Sequence, residues 1–212
     1  MPEEKRTELG SLGEFELINR LVEGFETVNE STVKSIGDDA AVIEYKEGQI
    51  VVSTDLLIEN IHFDLMYTPL KHLGYKAVVV NLSDIYAMNA IPEQITVSIG
   101  VSNRFSLESL DELYDGIKAA CKHYKVDLVG GDTSSSNKGL IISVTAIGRA
   151  LKEDIVYRNT AQPGDLICVT GDLGAAFIGI QILEREKALF LDNPGIKPEL
   201  ADNAYVVGRQ LK

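Results

Sequence analysis

Several aspartates stand where predicted strands end, which is where this chain could carry out chemistry. Asp38 and Asp39 follow Gly37, Asp55 closes an apolar run, and Asp132 follows two glycines. Ligands of α/β folds bind at strand ends, and clustered carboxylates suit a hard cation such as Mg²⁺. Each aspartate taken alone is also ordinary turn chemistry. Only the set indicates a cation site.

Asp84 lies in an apolar stretch, residues 70–88, that predicts a largely buried helix. Helical spacing places it on one face with Leu73, Ala77 and Val80. A buried carboxylate needs a cation or a strong hydrogen-bond partner. We therefore expect Asp84 to be a metal ligand. The alternative is a buried aspartate that is satisfied by the backbone.

Other kinds of site are disfavoured. The sequence contains neither a P-loop nor a Gly-x-Gly-x-x-Gly segment, and no serine or cysteine has a recognisable catalytic partner. The 32 acidic and 20 basic residues give a net charge of −12, most of it within residues 1–65, which disfavours nucleic acid and anionic membranes. The acidic N-terminus, the absence of long apolar runs and the two separated cysteines predict a soluble cytoplasmic protein.

Residues 1–150 are predicted to form an α/β domain. Apolar periodicity predicts helices over residues 14–25, 70–88 and 107–124, the last capped by Ser106, and strands over residues 40–45, 50–53, 95–101, 126–129 and 140–147. The first two strands are separated by Lys46-Glu47-Gly48-Gln49, which indicates a hairpin. A hairpin disfavours a purely parallel sheet.

Residues 151–212 are predicted to begin a second α/β domain. After the turn at Pro163-Gly164-Asp165, the pattern predicts a strand over residues 166–169, a helix reaching about residue 185, a loop over 191–198 and a helix over 201–211. Two helices and one strand cannot close a core. We expect this domain to be incomplete within the 212 residues.

Five motifs together carry a family resemblance. They are Gly37-Asp38-Asp39-Ala40-Ala41, Ser53-Thr54-Asp55 with His62-Phe63 seven residues on, Lys76-Ala77 leading to Asn81-Leu82-Ser83-Asp84, Ala87-Met88-Asn89-Ala90, and Gly130-Gly131-Asp132-Thr133. No single motif is specific. Their order and spacing resemble the thiamine-monophosphate kinases, of the aminoimidazole ribonucleotide synthetase and selenophosphate synthetase superfamily.

The resemblance implies a fold, a reaction and site residues. The fold is an N-terminal domain with a mixed, largely antiparallel four-stranded sheet, and two such domains join their sheets in a homodimer. The reaction is ATP-dependent phosphorylation of thiamine monophosphate to thiamine diphosphate with several Mg²⁺ ions. The implied residues are, for metal, Asp39, Ser53, Thr54, Asp55, Asp84 and Asp132; for nucleotide, Tyr114, Gly131, Asp132 and Arg158; and for substrate, His62.

The chemistry agrees with this ligand set. The nucleophile is an oxygen of a phosphate monoester, which with a second pKa near ~6 is largely deprotonated at neutral pH. No general base is needed, and the obstacle is repulsion between two polyanions. Bridging Mg²⁺ ions relieve that repulsion and orient the phosphates for in-line transfer.

Alternatives remain open. A selenophosphate synthetase needs a reactive cysteine or selenocysteine in a glycine-rich N-terminal segment. No cysteine precedes Cys121 in this chain, which disfavours that activity. An aminoimidazole ribonucleotide synthetase-like enzyme and a non-catalytic nucleotide-binding or dimerisation module also fit the general features. The family's Asp-x-Ser-Asp-Gly and Gly-Gly-Glu-Asp-Tyr-like motifs do not occur here. We therefore expect a C-terminally truncated kinase with little or no activity of its own.

Overall fold

A computed structural model describes residue 7, residues 13–36 and residues 41–211. Its centre is a four-stranded sheet built from β3 (Gln49–Ile58), β4 (Ile91–Val101), β5 (Asp127–Ser135) and β6 (Ile141–Ala150), in the order β3-β6-β4-β5. β6 pairs antiparallel with both β3 and β4, whereas β4 and β5 are parallel. The predicted mixed, largely antiparallel sheet is confirmed.

Two long helices cover one face of this sheet. They are α2 (Leu70–Ala87) and α3 (Leu107–Tyr124). As predicted, Ser106 caps α3, and its Oγ accepts a hydrogen bond from the Ser109 N–H at 3.3 Å. The helices approach closely at Gly74 and Gly116, because a Cβ atom on either glycine would lie about 2 Å from a carbonyl oxygen of the other helix. Their inward side chains form the core with alternate residues of the strands. Each fully buried leucine or isoleucine there contributes about 1.5–3 kcal/mol.

The opposite face of the sheet is uncovered by these helices. Alternate side chains of a strand point to opposite faces, and the three outward apolar residues of β3 are about half exposed or more: Ile50 58%, Val52 60% and Leu56 49%. Their partners across the antiparallel ladder share this face, so Ile147 lies beside Val52 and Thr145 beside Thr54. We call this side of the sheet the open face. Its exposed apolar residues on β3 are Ile50, Val52 and Leu56.

The N-terminal segment contradicts the predicted hairpin. After α1 (Glu14–Val22), a two-stranded sheet forms between β1 (Thr32–Lys34) and β2 (Val42–Ile43), and β3 instead pairs with β6. Buried Asp127 holds the segment in place, since its carboxylate accepts hydrogen bonds from the Val28 and Asn29 N–H groups and the Thr32 hydroxyl. Residues 46–48 do separate two strands, but those strands pair with β1 and β6 and not with each other.

Residues 151–211 form two helices and loops. α4 (Ala175–Asp192) is followed by a 3₁₀ turn (Ala201–Asn203) and α5 (Ala204–Leu211), which agrees with the predicted helices, although α4 extends seven residues beyond the predicted end. The predicted strand over residues 166–169 is wrong, because that segment has no ladder partner within residues 151–211 and exposes Leu166 and Ile167 almost fully. None of the helices that the structure describes combines the length and the apolarity needed to cross a bilayer.

Candidate functional site

The strongest group of candidate ligands lies where edge strand β3 meets α2. Ser53 Oγ donates a hydrogen bond to Asp84 Oδ2 at 2.6 Å, and the Asp55 N–H donates to Asn81 Oδ1 at 2.8 Å. Asn81 is fully buried and its amide nitrogen also donates to the Ala77 carbonyl. Asn81 thereby fixes β3 against α2. The structure brings Ser53, Asp55 and Asp84 to the same junction, which we call the β3–α2 junction.

The predicted burial of Asp84 is wrong. The buried side of α2 carries Leu73, Ala77, Leu82 and Ile85, whereas the Asp84 side chain is exposed. α2 packs on the sheet with one side only, over β6 and β3, so the other side of the helix faces solvent despite its apolar sequence. The desolvation argument for a metal therefore does not apply to Asp84. Asp84 remains a candidate metal ligand because its carboxylate lies beside the Ser53 hydroxyl.

Thr54 faces away from this junction. Successive side chains of a strand alternate between faces, so the Thr54 hydroxyl lies on the open face. There it donates to the Val144 carbonyl and accepts from the Thr145 hydroxyl, each at 3.1 Å. The Ser53 and Thr54 hydroxyls therefore lie on opposite faces, a separation that the period of two in a strand could have predicted.

Asp132 is also separated from the junction. It lies on β5, at the opposite edge of the sheet from β3, and it pairs with Ser98, whose side chain points to the open face. Two strands lie between β3 and β5, so the two edges are about 14 Å apart at the usual strand spacing. Within one chain, Asp132 and Asp55 occupy opposite edges and opposite faces. The sequence order of the motifs gave no sign of this.

Asp39 and its neighbour Asp38 lie outside the described residues. Within the described part of the chain, no three histidine, cysteine, aspartate or glutamate side chains converge as a metal-binding group. Four aspartates were expected to converge. Among the described residues, Asp55 and Asp84 lie at the same junction, together with the Ser53 hydroxyl.

The residues expected to contact nucleotide lie on different elements of the fold. Tyr114 lies on α3 in the hydrophobic core with 6% of its surface exposed, and burial raises its pKa to about 12. Gly131 is exposed on β5, and a Cβ atom there would lie 1.9 Å from the Val97 carbonyl oxygen, so only glycine fits. Arg158 is exposed in the loop after β6. The three residues thus lie on α3, on β5 and in the loop after β6.

His62 lines a cavity of about 270 Å³. Its Nδ1 accepts a hydrogen bond from the Ile58 N–H at 3.0 Å, which leaves the Nε2–H of the neutral ring as a donor. The cavity lies between the turn after β3, α2 and the helices α4 and α5, and it is also lined by Asp64, Tyr67, Lys76, Glu184, Lys187 and Gln210. Among the predicted site residues that the structure describes, His62 is the one that lines this cavity.

Sequence reasoning missed the polar contacts around this cavity. Buried Asp64 forms an ion pair with Lys187, and the Tyr67 hydroxyl donates to Glu184 at 2.5 Å. Burial alone would raise the pKa of Asp64, but the Lys187 ammonium and the Met66 N–H outweigh it and lower the pKa. The same hydrogen bond from Lys187 raises the pKa of the lysine. No local motif signals such pairs, because their members lie more than 110 residues apart.

The fold is that of an α/β domain, with the candidate oxygen ligands of the β3–α2 junction at one edge of a mixed sheet. The family described as AIR synthase related protein, N-terminal domain, matches residues 37–150, and the chain belongs to this family. The resemblance drawn from the motifs and the predicted fold class are both confirmed.

Individual relatives are thiamine-monophosphate kinases. The chain is 38% identical over 177 residues to the enzyme of Bacillus subtilis (strain 168), which covers 82% of this chain and 54% of the relative. A crystal structure of the enzyme from Stenotrophomonas maltophilia K279a is 33% identical with a TM-score of 0.75, covering 94% of this chain and 61% of that one. AaThiL complexed with AMPPCP and TMP is 30% identical with a TM-score of 0.65, covering 98% and 61%. The chain spans about half the length of the curated relatives it matches.

Proposed function

We propose that this chain belongs to a kinase that transfers a phosphoryl group from ATP to thiamine monophosphate and forms thiamine diphosphate. The observation that carries the proposal is the β3–α2 junction, where Ser53 contacts Asp84 and Asp55 is held by Asn81. The relatives named as thiamine-monophosphate kinases support the choice of substrate. A similar structure was solved with AMPPCP and TMP, which supports ATP as the phosphoryl donor.

The junction fits magnesium by the chemistry of its donors. Carboxylate and hydroxyl oxygens are hard ligands, and the exposed Asp55 and Asp84 carboxylates are accessible to a hydrated cation. We propose that Ser53, Asp55 and Asp84 hold Mg²⁺, with Asp39 and Asp132 as further ligands. Bound Mg²⁺ supplies charge neutralisation between donor and acceptor phosphates.

The protein's own residues would orient the substrates. His62 can donate its Nε2–H to an acceptor oxygen, because Nδ1 is already occupied by the Ile58 N–H. The acceptor phosphate is ionised at neutral pH, so direct in-line transfer requires no general base from the chain. We further propose that Tyr114, Gly131 and Arg158 belong to the nucleotide site. Since Tyr114 is buried, its contribution would be to shape the site from within the core.

We propose a homodimer joined through the open face. Ile50, Val52 and Leu56 leave an apolar surface on a strand whose other face is packed, and a second copy of the chain would cover it. Asp132 points to the same face and would then lie in or beside the interface.

We also propose a division of the chain near residue 150. Residues 1–150 would form the ATP- and Mg²⁺-binding and dimerisation domain, and residues 151–212 would be the beginning of a second domain. The four-stranded sheet ends with β6 at Ala150, and α4 and α5 pack on each other at Gly179, which supports this boundary. Reduced turnover of the 212-residue chain follows as a prediction from this division.

An aminoimidazole ribonucleotide synthetase-like activity is the second candidate, because the matched family carries that broader name. The deciding experiment is calorimetry of the 212-residue chain with Mg-AMPPCP. The second ligand is then either thiamine monophosphate or the purine precursor, which is the substrate of an aminoimidazole ribonucleotide synthetase. We expect nucleotide binding and a preference for thiamine monophosphate. Binding of the purine precursor alone would favour the second candidate. Nucleotide binding without either acceptor would favour a non-catalytic module, and no nucleotide binding would contradict the proposal.

A further inference from the structure

The cavity beside His62 contains one ammonium group that forms no ion pair with a carboxylate of the described residues. Its acidic residues are already engaged, since Asp64 pairs with Lys187 and Glu184 accepts a hydrogen bond from Tyr67. Lys187 also lies 3.7 Å from Glu184, so the two carboxylates on this side of the cavity share one ammonium. The remaining charged group of the lining is Lys76.

Lys76 is half-buried, and its ammonium has a single weak acceptor. Within the described part of the chain, Nζ contacts only the Gln210 carbonyl, at 3.4 Å, and forms no ion pair with a carboxylate. Burial lowers the pKa of Lys76. Taking an ammonium out of water without a counter-charge is costly, and an anion that enters the cavity removes that cost.

From this arrangement we propose that Lys76 binds the phosphate group of a phosphate-monoester ligand in the cavity. A phosphate offers several strong acceptor oxygens to an ammonium that has unused donors. Lys76 lies eight residues before Asp84 on α2, about 12 Å along the helix axis, so one bound pair of substrates can contact both residues. His62, which lines the same cavity, supplies a second donor. The identity of the ligand as thiamine monophosphate rests on the proposed function, whereas the anion site does not.

The test compares ligands with and without the phosphate. Calorimetry of the 212-residue chain measures the affinities for thiamine monophosphate and for thiamine, in the wild type and in Lys76→Gln. We expect the wild type to prefer thiamine monophosphate at least tenfold, and Lys76→Gln to lose this preference. Lys76→Arg, which keeps the charge, should retain most of it. Lys71→Gln is the matched control, because Lys71 is an exposed residue of the same helix.

The outcomes separate this inference from the proposed function. A preference that survives in Lys76→Gln overturns the role of Lys76 while leaving the kinase proposal intact. If thiamine monophosphate does not bind but inorganic phosphate does, in a Lys76-dependent way detected by phosphorus NMR line broadening, the anion site stands and the kinase proposal fails. Absence of binding by both ligands overturns the anion site. Should Lys76→Gln unfold, loss of the preference in a folded Lys76→Met variant decides the question by the same comparison.

Discussion

Ser53 Oγ donates a 2.6 Å hydrogen bond to Asp84 Oδ2, and this contact joins the edge strand of the sheet to the helix that runs beside it. The two residues are 31 positions apart in the chain. Asn81, one turn before Asp84, fixes the same strand through the Asp55 N–H. The buried side-chain amide of Asn81 therefore positions the candidate metal ligands, although Asn81 is not itself proposed as a ligand.

Replacing Asp84 with asparagine tests the junction. The exposed side chain makes its main described contact with Ser53, so Asp84→Asn removes charge with little change in packing. We expect the affinity for Mg-AMPPCP, measured by calorimetry, to fall at least tenfold and the free energy of unfolding to change by less than ~0.5 kcal/mol. Asp192→Asn, an exposed change at the end of α4, should alter neither quantity. Unchanged nucleotide affinity would reduce Asp84 to a structural polar group.

The open face can be tested through Val52. Placing a lysine at this half-exposed position in Val52→Lys should leave the monomer folded, since the side chain points away from the core. In a dimer the same ammonium would be buried against apolar residues at a cost of several kcal/mol. Sedimentation velocity should show a dimer for the wild type and a monomer for Val52→Lys. Leu189→Lys on α4 serves as a control that stays dimeric, and a monomeric wild type would contradict the homodimer.

Two adjacent glycines of β5 make a matched pair. A Cβ atom at Gly131 would lie 1.9 Å from the Val97 carbonyl oxygen, whereas at Gly130 its nearest neighbour is Thr96 Cγ2 at 3.7 Å. We expect Gly131→Ala to destabilise the protein by about 3 kcal/mol, because β4 and β5 must move apart. Gly130→Ala should change stability by less than ~1 kcal/mol. Urea unfolding measures both, and equal effects would contradict the close approach.

The Asp64–Lys187 ion pair predicts a pH dependence of stability. The pKa of Asp64 is lowered in the folded state, so its contribution is present above the unfolded value of ~3.9 and is lost as the pH falls through the folded value. The pKa of Lys187 is raised, so its contribution is present below ~10.4 and is lost as the pH rises through the folded value. The pair therefore stabilises the fold between these limits.

Asp64→Asn measures that contribution. We expect a loss of about 1–3 kcal/mol at pH 7, and a smaller difference from wild type at acid pH, where the native carboxyl is also neutral. Chemical unfolding across the pH range provides the comparison. Asp115→Asn, an exposed change on α3, should show no such profile. A constant difference at all pH values would mean that Asp64 acts through packing and not through its charge.

Much of the local structure could be read from the sequence. The alternation from Ile95 to Val101 predicted β4, and the stripe beginning after Ser106 predicted α3 together with its cap, because the periods of two and 3.6 directly record which side of an element is apolar. The oxygen-rich motifs likewise predicted a family that the match over residues 37–150 confirms. These features depend on residue type and near neighbours alone.

Only the tertiary structure decided how these elements are arranged. The apolar run in α2 concealed an exposed side that carries Asp84, and the predicted hairpin gave way to pairing of β3 with β6, ninety residues downstream. Asp132 lies at the opposite edge of the sheet from Asp55. Lys187 forms an ion pair with Asp64, although the two residues are far apart in the sequence. Periodicity identifies the apolar side of each element, but which elements become neighbours depends on packing between residues distant in sequence. That packing determines the surroundings of every candidate site residue in this protein.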